Sequence, residues 1–144
     1  MNRRILNATP FTYNGIDFKS KSEVMVYKTL IENGFTPKYE EETFYYWDGI
    51  RPTVPFYDLG PDRHLRLNMK KLIGSKYTPD FTFWSGGFKI IIEVKGYAND
   101  IYPFKKKLFR AYLETLDYPI LFAEIYTKRQ LLEFIKVIKD ETTE

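Results

Sequence analysis

Residues 77–95 read YTPDFTFWSGGFKIIIEVK, and in that stretch Asp80, Glu93 and Lys95 interrupt two runs of β-forming residues. Gly86-Gly87 between the runs signals a hairpin with a type I′ turn. With those glycines as the two central residues, Asp80 falls opposite Glu93 and Thr78 opposite Lys95. Strand side chains alternate, so Glu93 and Lys95 share a face with Ile91, while Phe88, Ile90, Ile92 and Val94 point to the other. Facing carboxylates repel, and sheets avoid the arrangement unless something positive sits between them. A divalent cation answers that objection: Mg²⁺ takes one or two protein carboxylates and keeps several waters and substrate phosphate oxygens.

The residue inventory points to the same chemistry. Cysteine is absent, which fits a reducing compartment and excludes disulfides and thiolate metal sites. His64 is the single histidine, so multi-histidine metal centres and histidine-dependent zinc fingers are excluded. Carboxylate, lysine and a hard cation remain. The net charge of +3 is small, but its distribution is uneven. Arg63, His64, Arg66, Lys70, Lys71 and Lys76 cluster in one segment, Lys105, Lys106, Lys107 and Arg110 in another, and Glu40, Glu41 and Glu42 in a third.

The elements that must position these residues follow from periodicity. Residues 20–33 (SKSEVMVYKTLIEN) place Val24, Tyr27, Leu30 and Ile31 at helical spacing, and Gly34 stops the helix. Residues 35–47 are aromatic-rich and extended. Residues 48–76, punctuated by Gly49, Pro52, Pro55, Gly60, Pro61 and Gly74, read as a long insertion with short elements of its own. After the hairpin, residues 104–116 put Phe104, Leu108, Ala111 and Tyr112 on one helix face. Residues 118–126 read as a buried strand. The last helix, over 127–139, opens on the capping box Thr127 to Gln130, and the DETTE tail is expected to fray. The expectation is one α/β domain over 1–144: helix, strand, insertion, hairpin, helix, strand, helix. No apolar run approaches the roughly 18 residues of a membrane span, and the N-terminus has no signal-peptide run, so a soluble cytoplasmic protein without membrane partners is expected.

Pro79-Asp80 followed by Glu93-Val94-Lys95 resembles the PD-(D/E)xK signature of the restriction-endonuclease-like nucleases. The position of the acid-x-lysine at the end of the second hairpin strand and the order of elements are similar to that superfamily's core: helix, three-strand meander, helix and strand. Locally, SKSEVMVYKTLIENGFTPKYEEE, YTPDF, IIIEVKGY and FKKKLF look like phage and prophage nucleases, including small endonucleases that cleave branched DNA. The resemblance implies an Mg²⁺-dependent endodeoxyribonuclease, with Mn²⁺ able to substitute, acting in a bacterial or phage-infected cell. Asp80 and Glu93 would hold the metal, with Glu23 as an auxiliary acid and the Val94 carbonyl as a further oxygen donor. Lys95 would be the catalytic lysine. Lys105 and Lys107 match lysines of those relatives, and with Lys106, Arg110, Lys70, Lys71 and Lys76 they would contact the DNA backbone. Enzymes that cut both strands usually work as homodimers.

Each residue also has a plainer reading. Ser20-x-x-Glu23 is itself a capping box, which explains a glutamate there without any metal. Glu93 and Lys95 also read as an exposed ion pair on a half-buried strand, a common arrangement, although the facing Asp80 leaves that account incomplete. The Lys105–Lys107 run suits the wet face of an amphipathic helix as well as it suits phosphate. Phe44, Tyr45, Tyr46 and Trp47 suit core packing better than base stacking, and His64 reads as an insertion residue without catalytic duty. The rival at the level of the whole chain is a nuclease-like module that binds DNA or protein without cutting.

Overall fold

The computed structural model describes residues 11–96 and 102–142. The chain is mixed α/β, with three helices and several sheets among the described residues. It separates into two compact units, the segment Thr43–Tyr77 and the rest of the chain.

In the larger unit, a short hairpin of β1 (Thr12–Tyr13) and β2 (Ile16–Asp17) precedes α1 (Lys21–Glu32). Asn14 and Gly15 turn it with φ of 55° and 77°, the Asn-Gly type I′ combination. α1 starts at the N-cap Ser20, whose hydroxyl accepts from the Glu23 N–H at 3.1 Å. It ends in a Schellman motif: Phe35 N–H donates to the Leu30 carbonyl and Gly34 N–H to that of Ile31, with Gly34 at φ 90°.

A four-stranded sheet follows. It contains β3 (Lys38–Tyr39), β8 (Phe81–Ser85), β9 (Phe88–Val94) and β10 (Ile120–Ile125), in the order β10-β9-β8-β3. The four strands between β3 and β8 in chain order belong to the smaller unit. β3, β8 and β9 run antiparallel in turn, and β10 returns parallel to β9 after α2 (Tyr102–Leu113). Gly86 and Gly87, at φ 56° and 84°, form the expected turn and set the register Ser85↔Phe88 through Phe81↔Ile92. That is the register assumed from the two glycines. α3 (Lys128–Thr142) closes the chain. Its capping box is complete, with Gln130 N–H on the Thr127 hydroxyl and Thr127 N–H on the Gln130 side chain, both at 3.2 Å.

Alternation puts Phe81, Phe83, Ile90 and Ile92 on one sheet face, where they pack with Val26, Tyr27 and Leu30 of α1 and Leu131, Ile135 and Ile138 of α3. Each such side chain contributes about 1.5–3 kcal/mol on burial. On the other face Ile91 pairs with Phe122, whose ring meets Phe109 of α2 edge-on at 5.5 Å.

Several sequence expectations are corrected. The buried side of α2 is that of Phe109, 1% exposed, while Phe104 is 64% and Leu108 39% exposed. The helix carries two overlapping apolar stripes, and the one that meets the sheet is the one bearing Phe109. β10 is half-buried rather than buried, with only Ile125 fully enclosed, because it is an edge strand. Asp140 to Thr142 of the tail continue α3, with Thr142 donating to the Ile138 carbonyl at 2.8 Å; the last two residues lie outside the described region. So do the first ten, on which the signal-peptide reading rests. No helix among the described residues is long and apolar enough to cross a membrane.

The smaller unit is a pair of hairpins. β4 (Phe44–Ile50) pairs with β7 (Leu72–Tyr77), and between them β5 (Tyr57–Leu59) pairs with β6 (Leu65–Leu67). It starts at Thr43, five residues before the Asp48 boundary suggested by the glycines and prolines, because β4 includes the aromatic run.

The two stripes of α2 can be told apart in solution. Phe109→Ala is expected to cost about 3–5 kcal/mol and Phe104→Ala less than about 1 kcal/mol in urea unfolding. Equal costs would place the sheet-facing side elsewhere.

Candidate metal centre

The acidic residues converge where α1 begins and where β3, β8 and β9 reach one end. Asp80 immediately precedes β8 and is 8% exposed; its Oδ2 accepts from the Val94 N–H at 2.7 Å. This bond clamps the carboxylate across the end of the ladder. Glu23, in the first turn of α1, is 6% exposed. It makes only half of its expected capping box. Its Oε1 bypasses the Ser20 N–H and instead accepts from the Lys19 N–H at 2.8 Å and the Tyr39 hydroxyl at 2.9 Å. The side chain is thereby held toward the sheet.

The third carboxylate is one that sequence reasoning missed. Oxygen atoms of Glu23, Glu40 and Asp80 all lie within 4.8 Å of one another and could hold a metal ion. Glu40 follows β3 in the left-handed region, φ 50°, and its N–H donates to the Asp80 carbonyl at 2.8 Å. That conformation is unfavourable for a glutamate by about 1–2 kcal/mol and redirects the chain beside Asp80. In the sequence, Glu40 was visible only as one of three consecutive glutamates. Its neighbour Glu42 instead pairs with Lys89, whose ammonium sits 5.0 Å from the centre of the Trp84 ring.

Glu93, expected as a principal ligand, is not among the three converging residues, although its charge acts on Asp80. Lys95 follows the end of β9, is 8% exposed, and extends the ladder by donating its N–H to the Ile125 carbonyl at 2.9 Å. Val94 contributes its N–H to Asp80, as described. On the neighbouring strand Glu124 pairs in register with Glu93. Its Oε1 accepts from Lys106 at 3.1 Å, and its buried Oε2 has no hydrogen-bond partner among the described residues. Lys106 is thus engaged with the sheet, whereas Lys105, Lys107 and Arg110 are exposed. Lys70, Lys71, Lys76 and His64 belong to the smaller unit.

The electrostatics follow from crowding buried carboxylates together. Burial first, then the charge of Glu93, pushes Asp80 up to about 8; the Val94 N–H opposes the shift, and Glu23 adds to it. Lys19 is a basic side chain drawn into this field, with its ammonium 2.9 Å from Glu40. The hydrogen bond to Glu40 strengthens its hold on its proton, and the charges of Glu23 and Asp80 add to that. Burial and the bond to Glu23 likewise raise the Tyr39 hydroxyl, keeping it a neutral donor. Three carboxylate oxygens without histidine or thiolate are a hard donor set, suited to Mg²⁺ or Mn²⁺.

The fold and site define a mixed α/β protein with a buried acidic centre at one end of its main sheet. The chain belongs to the family described as Protein of unknown function (DUF1064), whose model matches residues 3–128. No curated protein and no solved structure matches it.

The raised Asp80 makes stability depend on pH with a definite sign. Between about pH 4 and pH 8 the unfolded chain releases this proton while the folded chain keeps it, so stability falls as pH rises and levels off above about 8. The expected total is on the order of 3–5 kcal/mol in EDTA. Asp80→Asn should flatten most of this fall and melt higher than wild type at pH 8. Parallel pH profiles for the two proteins in calorimetry would remove Asp80 as the cause.

Proposed function

We propose that the chain is a metal-dependent endonuclease of the PD-(D/E)xK, restriction-endonuclease-like class that hydrolyses DNA phosphodiester bonds. The observation that carries this reading is the convergence of the Glu23, Glu40 and Asp80 carboxylates at the strand ends that also carry Glu93 and Lys95. The strand order β10-β9-β8-β3, with the crossover through α2, supports the same class.

Asp80, Glu23 and Glu40 would hold the cation, and Glu93 would add charge beside it. A divalent cation there supplies Lewis-acid activation of water and neutralisation of charge on the phosphate. Holding it requires Asp80 to be ionised, so cation affinity rises with pH toward about 8. Lys95 orients the attacking water and stabilises charge that develops on the scissile phosphate. This favours the transition state over the ground state, because that charge appears only during reaction. Tyr39 and the Lys19 N–H fix the orientation of Glu23. Branched DNA is the substrate class suggested by the sequence resemblance, and a homodimer suits cleavage of two strands.

Supercoiled plasmid, single strands and a four-way junction, each with Mg²⁺, Mn²⁺ or EDTA, test the reading. Cleavage is expected with either metal and not in EDTA. Asp80→Ala and Lys95→Ala should each lower the rate by about 100-fold or more, with Lys95→Ala keeping duplex affinity within about a few-fold. Glu40→Gln should raise the Mg²⁺ concentration for half-maximal rate by about tenfold or more. Absence of cutting on all three substrates with both metals, or an Asp80→Ala protein that cuts at the wild-type rate, would overturn it.

A further inference from the structure

The segment Thr43–Tyr77 holds Arg51, Arg63, Arg66, Lys70, Lys71 and Lys76 against Asp48, Asp58 and Asp62, an excess of three positive charges. The whole chain, with 22 basic and 19 acidic side chains, has the same excess. The rest of the chain is therefore electrically balanced, and the net charge belongs to this unit.

Its form is as distinctive as its charge. β4 and β7 make a two-stranded antiparallel ribbon from Phe44↔Tyr77 to Ile50↔Leu72, with a bulge between Tyr45 and Trp47. At Gly49 and Gly74 the strands approach so closely that a side chain on either would strike the opposite backbone. Arg51 and Lys71 flank the Ile50↔Leu72 pair, and Lys70 is next to them; all three are exposed, and none forms an ion pair among the described residues. Farther along, Lys76 lies opposite Tyr45, its ammonium 5.9 Å from the ring centre. Tyr45 is 61% exposed, and Trp47 and Tyr57 are also open to solvent.

A positive surface interleaved with exposed aromatics fits a polyanion that also offers apolar edges. A two-stranded ribbon with its side chains is about 10 Å across, matching the roughly 12 Å major groove of B-form DNA, which admits such a ribbon. A second copy of the same surface would bring two equal positive charges together, so charge disfavours self-docking.

We propose that Thr43–Tyr77 is a duplex-DNA-binding arm whose β4–β7 ribbon enters the major groove, with Arg51, Lys70 and Lys71 on the flanking phosphates. The inference rests on the nuclease reading for its choice of DNA as the polyanion. Binding is nevertheless measured without cleavage, so either can fail alone. The full chain is titrated in EDTA against a labelled duplex over a range of salt concentrations.

Replacing Arg51, Lys70 and Lys71 together by alanine is expected to weaken duplex binding tenfold or more at about 100 mM salt. It should also make the slope of log affinity against log salt shallower by about two to three units. Arg51→Lys with Lys70→Arg and Lys71→Arg should restore the wild-type slope. An unchanged slope in the alanine protein overturns the proposal. So does equal affinity of the wild type for double-stranded RNA, whose deep, narrow major groove excludes a ribbon. A third overturning result is unchanged DNA affinity together with lost self-association in sedimentation, which would make the arm a contact between copies.

Discussion

Everything at the acidic end of the main sheet depends on holding carboxylates together where water cannot separate them. Glu23 and Asp80 are each more than nine-tenths buried, and Glu40 completes a set within 4.8 Å. Left to themselves, such charges move apart or take up protons. They are held by fixed donors. The Val94 N–H grips Asp80, and the Lys19 N–H and Tyr39 hydroxyl grip Glu23 near the N-terminal end of α1, where the helix dipole also favours negative charge. The apolar layer behind them anchors this arrangement. Phe81 follows Asp80 directly, is fully buried, and has the rings of Phe18, Tyr27 and Tyr39 around it.

That anchoring explains why the centre resists relaxing. Asp80 cannot turn away without giving up the Val94 N–H, and Glu23 cannot turn outward without giving up its bonds from the Lys19 N–H and the Tyr39 hydroxyl. The remaining response is protonation, which is why burial and Glu93 push Asp80 up to about 8. On the proposed reading a cation must compete with that proton, so folding, proton uptake and metal affinity would be linked through the same oxygens.

The hairpin was legible because turn chemistry dictates register. Two glycines with positive φ leave one pairing, and from it the neighbourhood of Asp80 and Glu93 follows. Glu40 was not legible. Its place depends on β3 pairing with β8 across more than forty intervening residues and on a left-handed backbone that no local signal requires of a glutamate. Glu93 shows the opposite limit. Its position on the strand follows from the register, but which carboxylates come within 4.8 Å of one another depends on the angle at which α1 and β3 arrive. The face of α2 was misread for a similar reason: two apolar stripes overlap, and only the ring of Phe122 selects Phe109.

If the centre acts on DNA, as proposed, the uneven charge of the chain follows from the same constraint. A centre made of carboxylates repels a polyanionic substrate, and the part of the chain that contains it is balanced overall, so it offers little long-range attraction to offset that repulsion. Placing basic residues next to the acids would help, but they would neutralise the donors a cation needs, as Lys19 does in part at Glu40. On the proposed reading, attraction is therefore carried by a separate unit with its own ribbon and its own excess of positive charge. The cost is that binding and cutting become distinct functions of one chain: salt acts mainly on the first, and pH and metal on the second.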